Sequence, residues 1–208
     1  MALALREYTP AEAAAVSGIG VKSVHNAIDK QIIPGRFTGN RVRSITDDDL
    51  LRLKLWYGVG SILSAERRKR LFDAIADNPD ADTVRADDYL IIDVSKARKQ
   101  LAERADALRE AEKLISSSRG VVGGEPVFIG TRVPVRAISA MKALGATNYE
   151  IVEGYPALTA HMVELAEIWT AAHPARGRPK KLSEQGLKVK AIKRLPSKSG
   201  HTSNEPTS

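Results

Sequence analysis

Residues 121–135, Val-Val-Gly-Gly-Glu-Pro-Val-Phe-Ile-Gly-Thr-Arg-Val-Pro-Val, restrict the fold of this chain more than any other segment. Val127 to Ile129 and Val133 to Val135 are apolar runs long enough only for very short strands, and Gly130 breaks the chain between them. Both feed a helix predicted to start near Arg136. The segment is a compact entry to a helical unit.

The chain has 208 residues, 43% of them hydrophobic, which suffices for one large or two small buried cores. It contains no cysteine, so a disulfide framework and thiolate metal ligation are excluded. The first residues lack the basic-then-apolar order of a secretory signal, and no apolar run approaches the ~20 residues that span a bilayer. A cytoplasmic protein without a membrane partner is expected. The formal net charge of +7 is unevenly placed. Of 32 basic residues nine lie in 174–208, and of 25 acidic residues only two do, leaving 23 of each sign in the rest. The excess positive charge belongs to the tail, which points to an anionic partner for that segment alone.

Near the start, Thr9-Pro10-Ala11-Glu12 places a hydroxyl at the N-cap, Pro at the first helical position and Glu at the third, a capping box with the favoured proline. That helix stops at Ser17-Gly18, and a second is predicted over about Val21 to Lys30, with Val21, Val24, Ala27 and Ile28 on one face and Lys22, Ser23, Asn26 and Lys30 on the other. Two short helices joined by a Gly-containing turn form the geometry that inserts a recognition helix into the major groove. Arg36 to Arg43 reads as a hairpin with Gly39-Asn40 at its tip and basic residues on both arms, and Thr46 caps a third helix through Asp47, Asp48 and Asp49. The order over residues 8–57 resembles the winged helix-turn-helix of MerR-type regulators. The resemblance implies that Lys22, Ser23, Asn26, Arg36, Arg41 and Arg43 contact operator DNA. A packing module whose charges are merely solvated is the alternative. His25 reads as a solvated helix residue.

A helix capped by Ser64 is predicted through Ala76, ended by Asn78-Pro79-Asp80. Tyr89 to Val94 is a strand candidate by its β-branched content, with a partner expected from the region after residue 119 or from a second subunit. From Ser95 to Ile115 a long helix is predicted. Its Leu101, Leu108 and Ile115 lie seven apart, fitting either a short coiled-coil seam or a helix packed on its own domain. Ser116 to Gly120 reads as a polar hinge.

The 121–135 string carries a Gly-Gly-x-Pro-x-hydrophobic-x-Gly-Thr-Arg-hydrophobic-Pro-hydrophobic signature, followed by Tyr155-Pro156-Ala157-Leu158-Thr159. Over residues 119–173 the chain resembles the domain of unknown function family 433. The resemblance implies a small homeodomain-like helical domain, frequent in antitoxins encoded beside a PIN-like ribonuclease toxin. Helices are predicted near Arg136 to Leu144, Asn148 to Glu153 and Ala160 to Ala172. Charge argues against groove binding there: two basic residues, Arg136 and Lys142, stand against Glu150, Glu153, Glu164 and Glu167. Met162, Leu165, Ile168 and Trp169 instead make an apolar surface suited to a core plus a homodimer interface. Arg132 has a structural reading, and His161 and His173, twelve apart without Cys or paired carboxylates nearby in sequence, suggest no metal site.

In the tail, Arg176-Gly177-Arg178-Pro179-Lys180-Lys181 resembles an AT-hook core, a minor-groove binder. An acidic ribonuclease site is an equally natural target for Arg176, Arg178, Lys180 and Lys181. The pattern of Leu187, Lys188, Val189, Lys190, Ile192, Lys193 and Arg194 favours a segment folding against a protein.

The expected molecule is mainly α with short β-hairpins. Residues 1–60 form a winged helix-turn-helix, 61–118 a helix-strand-helix connector, 119–173 a homeodomain-like three-helix domain for dimerisation, and 174–208 a basic partner-binding tail. The expected function is that of a type II antitoxin, an operon-autoregulating protein and not an enzyme, with no cofactor. It would bind operator DNA and a PIN-like ribonuclease toxin as a homodimer or toxin–antitoxin hetero-oligomer. The alternative is a DNA-binding regulator or nucleoid-type protein with an AT-hook-like tail and no toxin partner.

Overall fold

A computed structural model of the chain describes residues 6–37 and 43–175. It is mainly helical, with three two-stranded antiparallel pairs. Thr9 opens α1 (Pro10–Ser17): its hydroxyl accepts from the Glu12 amide at 3.3 Å and the Glu12 carboxylate accepts from the Thr9 amide at 2.7 Å. Gly18 ends the helix at φ 73°, a left-handed conformation that glycine adopts without a Cβ penalty. Then come α2 (Val21–Asp29), β1 (Arg36–Phe37) paired with β2 (Arg43–Ser44), and α3 (Asp47–Leu55), the last started by a Thr46/Asp49 capping box. The hairpin register sets Arg36 opposite Ser44 and Phe37 opposite Arg43. Tyr8 bridges to Ile45, so the chain entering α1 is tied to the chain entering α3.

A π-helical stretch, Trp56–Gly60, leads to α4 (Ala65–Asp77), which Ser64 caps. The strand expected at Tyr89 to Val94 is the shorter β4 (Ile91–Asp93). Its partner is β3 (Thr83–Arg85), a local hairpin, and not a strand from beyond residue 119 or from another subunit. Helix α5 (Ser95–Leu114) follows the predicted span closely, and Leu101, Leu108 and Ile115 are buried within the chain. They therefore serve the chain's own core and leave no seam for a coiled coil.

The expected hinge after α5 begins as a strand instead. β5 (Ile115–Ser116) pairs with β6 (Val127–Phe128), setting Ile115 opposite Phe128. The second short strand predicted at Val133 to Val135 is reduced to one bridge, Val127 to Pro134, because α6 (Val135–Ala143) begins there. Helices α7 (Asn148–Gly154) and α8 (Ala160–Ala172) complete the described chain.

The expected boundaries at residues 60 and 118 do not divide the packing: residues up to Pro174 form one compact unit. The cause lies in α1 and α8. Ala13, Ala14, Ala15 and Val16 are all buried, so this stretch of α1 is enclosed, in contact with α2, α3, α5 and α8. Alanine side chains let helix axes approach closely, and a helical stretch that is apolar all round must be enclosed. Helix α8 is the hub, in contact with α1, α5, α6 and α7. Leu165, Ile168 and Trp169 are 1%, 8% and 9% exposed, and Met162 packs half-buried at the core margin. The apolar surface expected to serve a homodimer is thus filled by the chain itself.

Candidate nucleic-acid interface

Beside the hairpin, α2 presents a polar face. Val24, Ala27 and Ile28 are buried beneath it, while Lys22, Asn26, Asp29 and Lys30 are exposed and Ser23 and His25 are half-buried. Gly20 and Gly18 give the tight turn that lets α2 leave α1, and Tyr57 holds the first turn of α2 by donating its hydroxyl to the Ser23 carbonyl at 2.9 Å. Lys22, Asn26 and Lys30 have no side-chain hydrogen bond or ion pair among the described residues, so their polar ends are open to an external partner. Lys30, at the C-cap, extends the exposed set beyond the residues that the MerR-type resemblance marks.

The hairpin is tied to α2. Arg43 donates from Nη1 to His25 Nδ1 at 3.2 Å and from Nη2 to Asp29 Oδ1 at 3.2 Å. Asp29 lies on the exposed face of α2, where its charge would repel a phosphate, and Arg43 offsets it. His25, expected to be solvated, is one end of this strut. Arg36 is also engaged: its Nη1 lies 3.3 Å from Asp49 Oδ2 and 3.4 Å from Thr46 Oγ1, on the cap of α3. Two of the arginines proposed for phosphates therefore already hold carboxylates. Arg41 lies outside the described residues, as do Arg176, Arg178, Lys180, Lys181, Leu187, Lys188, Val189, Lys190, Ile192, Lys193 and Arg194.

The signals for these pairings were present but not decisive. Asp29 and Arg43 are fourteen residues apart, and only the closing of the hairpin brings them together. His173 has no Cys or paired carboxylates nearby in sequence, yet in space His173, Glu12 and Glu112 each place a potential ligand atom within 4.8 Å of the others. A cation is already there: Arg6 donates to both Glu112 oxygens at 2.9 and 2.6 Å and lies 3.6 Å from Glu12. Arg6 is held firmly in its charged form, first by the hydrogen bond to Glu112. His161 pairs instead with Glu110, Nε2 to Oε1, at 2.9 Å.

In the 121–135 string, Thr131 is the organiser. Its hydroxyl donates to the Phe128 carbonyl at 2.9 Å and accepts from the Val133 amide at 3.1 Å, closing the turn at Gly130. Arg132 is exposed. Arg136 lies over the Trp169 ring at 5.4 Å and donates to the His173 carbonyl at 2.7 Å, which anchors the end of α8.

Among the described residues no helix is long and apolar enough to cross a membrane. No solved structure matches the chain. The family model described as "Protein of unknown function (DUF433)" matches residues 115–167, from β5 into α8. A protein of Sinorhizobium fredii, "Uncharacterized protein y4eO", is 31% identical over 182 residues, spanning 80% of this chain and 81% of that protein. The likeness to that protein reaches far beyond the family segment, as expected when α1 and α5 share one core with α8. The chain belongs to the DUF433 family of proteins of unknown function.

Proposed function

We propose that the protein is a DNA-binding antitoxin: a winged helix-turn-helix of MerR type recognises its own operator, and the basic tail silences a PIN-like ribonuclease toxin. The observation that carries the DNA-binding half is the open face of α2, where Lys22, Asn26 and Lys30 project without a side-chain partner among the described residues, beside a hairpin locked to the same helix. In this reading Lys22 and Lys30 meet phosphates, Asn26 and Ser23 reach base edges, and Arg41, which lies outside the described residues, contacts the backbone. Arg36 and Arg43 set the hairpin's angle through Asp49 and Asp29. The toxin-binding half is supported by membership of the family, by the residue 121–135 signature, and by nine basic residues in 174–208. A two-fold dimer on a palindromic site would use a face other than Leu165, Ile168 and Trp169, which the chain's own core occupies.

The test uses the full-length protein together with the ribonuclease encoded beside it. Replacing Lys22, Asn26 and Lys30 by Ala should abolish specific gel-shift binding while leaving thermal stability intact, and unchanged operator affinity would remove DNA recognition from α2. Truncation after Pro174 should preserve operator binding and lose protection against the toxin. The Arg176-Gly177-Arg178-Pro179 string favours a second reading as an AT-hook. In that case the truncation lowers DNA affinity and reduces the log–log salt slope by about 0.9 per lost phosphate contact.

A further inference from the structure

A cavity of about 320 Å³ opens between α3, α4 and the start of α5, beside the strand β1. Its apolar wall is Leu51, Phe72 and Ile75, and its charged lining is Arg36, Arg52 and Arg98 against Asp48 and Asp49. The volume is that of a small-ligand pocket.

Arg98 lines both this cavity and a neighbouring one beside Leu101 and Ala105. Its Nε and Nη2 are shut off from solvent and have no hydrogen-bond acceptor among the described residues, while the residue as a whole is half-buried; no other charged side chain among them is so placed. A buried donor without an acceptor is costly to the fold, and its natural complement is an anion. The neighbouring charges leave room for one. Asp49 is already engaged by Arg36 at 3.3 Å and by the Thr46 amide at 3.0 Å and hydroxyl at 2.9 Å. Arg52 lies over the Phe72 ring at 4.8 Å, a stacking that leaves the N–H edges of its guanidinium available. Asp48 is exposed and forms no ion pair with Arg52 or Arg98 among the described residues. The balance of the lining is thus one positive charge in excess, next to an aromatic and aliphatic wall.

We propose that this cavity binds a small carboxylate with an apolar body. Arg98 and Arg52 take the carboxylate, whose planar pair of oxygens suits the guanidinium fork, and Leu51, Phe72 and Ile75 pack on the body. The site is separate from α2, and its occupancy can be read on the protein alone, without DNA or toxin.

The experiment is a titration of the full-length protein with benzoate and phenylacetate, followed by calorimetry and by thermal unfolding, with neutral benzamide and inorganic phosphate as controls. Saturable binding of the two carboxylates with a rise in Tm is expected. Benzamide and phosphate should bind at least tenfold more weakly, the first lacking charge and the second lacking an apolar body. Arg98→Met should lose carboxylate binding at least tenfold while its Tm without ligand equals or exceeds that of the wild type, because two buried N–H groups without acceptors have been removed. A purely structural Arg98 would give a lower Tm. Should Arg98→Met not fold, Arg52→Gln serves as the second variant with the same expected loss, and Arg70→Gln, on the α4 surface and paired with Glu66, should bind normally. The proposal is overturned if neither carboxylate binds, if benzamide or phosphate binds as well as benzoate, or if the Arg98 and Arg52 variants retain wild-type affinity.

Discussion

Arg104 of α5 donates from Nε and Nη2 to the carbonyl of Ala15 at 2.9 and 2.6 Å, so a side chain from the long helix satisfies the C-terminal turn of the first one. Lys54 adds a weaker contact, Nζ to the Ser17 carbonyl at 3.5 Å. Two cations at the negative end of α1 complement its dipole. Lys54 pays for that position with a pKa below the ordinary lysine value, chiefly from burial and secondarily from Arg104.

Replacing Arg104 by Met should therefore destabilise the whole unit and not merely fray α1. Charge-assisted bonds to a carbonyl contribute roughly 1.5–3 kcal/mol, and partial solvent exposure places the expected loss at the lower end. Urea denaturation with an unchanged slope and a lower midpoint is the expected result; an unchanged midpoint would show that the Ala15 contact contributes nothing.

The alanine run of α1 makes a second, independent test. Ala14→Leu should cost about 1–3 kcal/mol by overpacking, because Ala14 is enclosed in the core. By the same packing, a fragment of residues 6–63 should lack a cooperative thermal transition, since the flank of α1 against α5 and α8 would be bare. A sharp, reversible transition for that fragment would establish an independently folding N-terminal domain.

The Arg43–Asp29 strut carries a signed prediction for DNA binding. Asp29→Asn removes a negative charge from the exposed face of α2 and releases Arg43, so affinity should rise and the log–log salt slope should steepen by about 0.9 if Arg43 gains a phosphate. Arg43→Ala should do the opposite, leaving Asp29 uncompensated. Gel-shift titrations of both variants over a series of salt concentrations give the comparison; the same direction of change in both would refute the strut's electrostatic role.

Tyr8 gives the molecule an alkaline signature. Its hydroxyl donates to Asp47 Oδ1 at 3.0 Å, and burial, reinforced by the Asp47 charge, pushes its pKa up from 10.0 to about 12. The unfolded chain loses this proton first, so the contribution of Tyr8 is fully present below pH 10 and declines as pH rises toward about 12. Tyr8→Phe should lower stability at neutral pH by roughly 1 kcal/mol and flatten the decline between those pH values. Parallel pH profiles for the two proteins would refute the assignment.

What the sequence determined by itself was local. The Thr9/Glu12 and Thr147/Glu150 boxes, the Ser64 cap and the three-and-four spacing of Leu101, Ala105 and Leu108 act within one or two turns; the three capped helices begin at the residue after the cap, and the spacing falls inside α5. The 121–135 string likewise specified its turn and the helix after it, through Thr131 and Gly130. Only the tertiary structure decided which apolar surfaces meet. The sequence of α8 offers a wide apolar face, and nothing local says whether a second copy or the chain's own α1 and α5 will cover it. The hint lay in Ala13 to Val16, apolar all round and too small to form a core alone, which must be enclosed by something. The pairings of Arg43 with Asp29, Arg6 with Glu112, and Arg104 with Ala15 span 14, 106 and 89 residues. Long-range pairs such as these form only after the helices have packed, because burial of apolar area drives the packing and the charges then take the partners that packing has placed within reach.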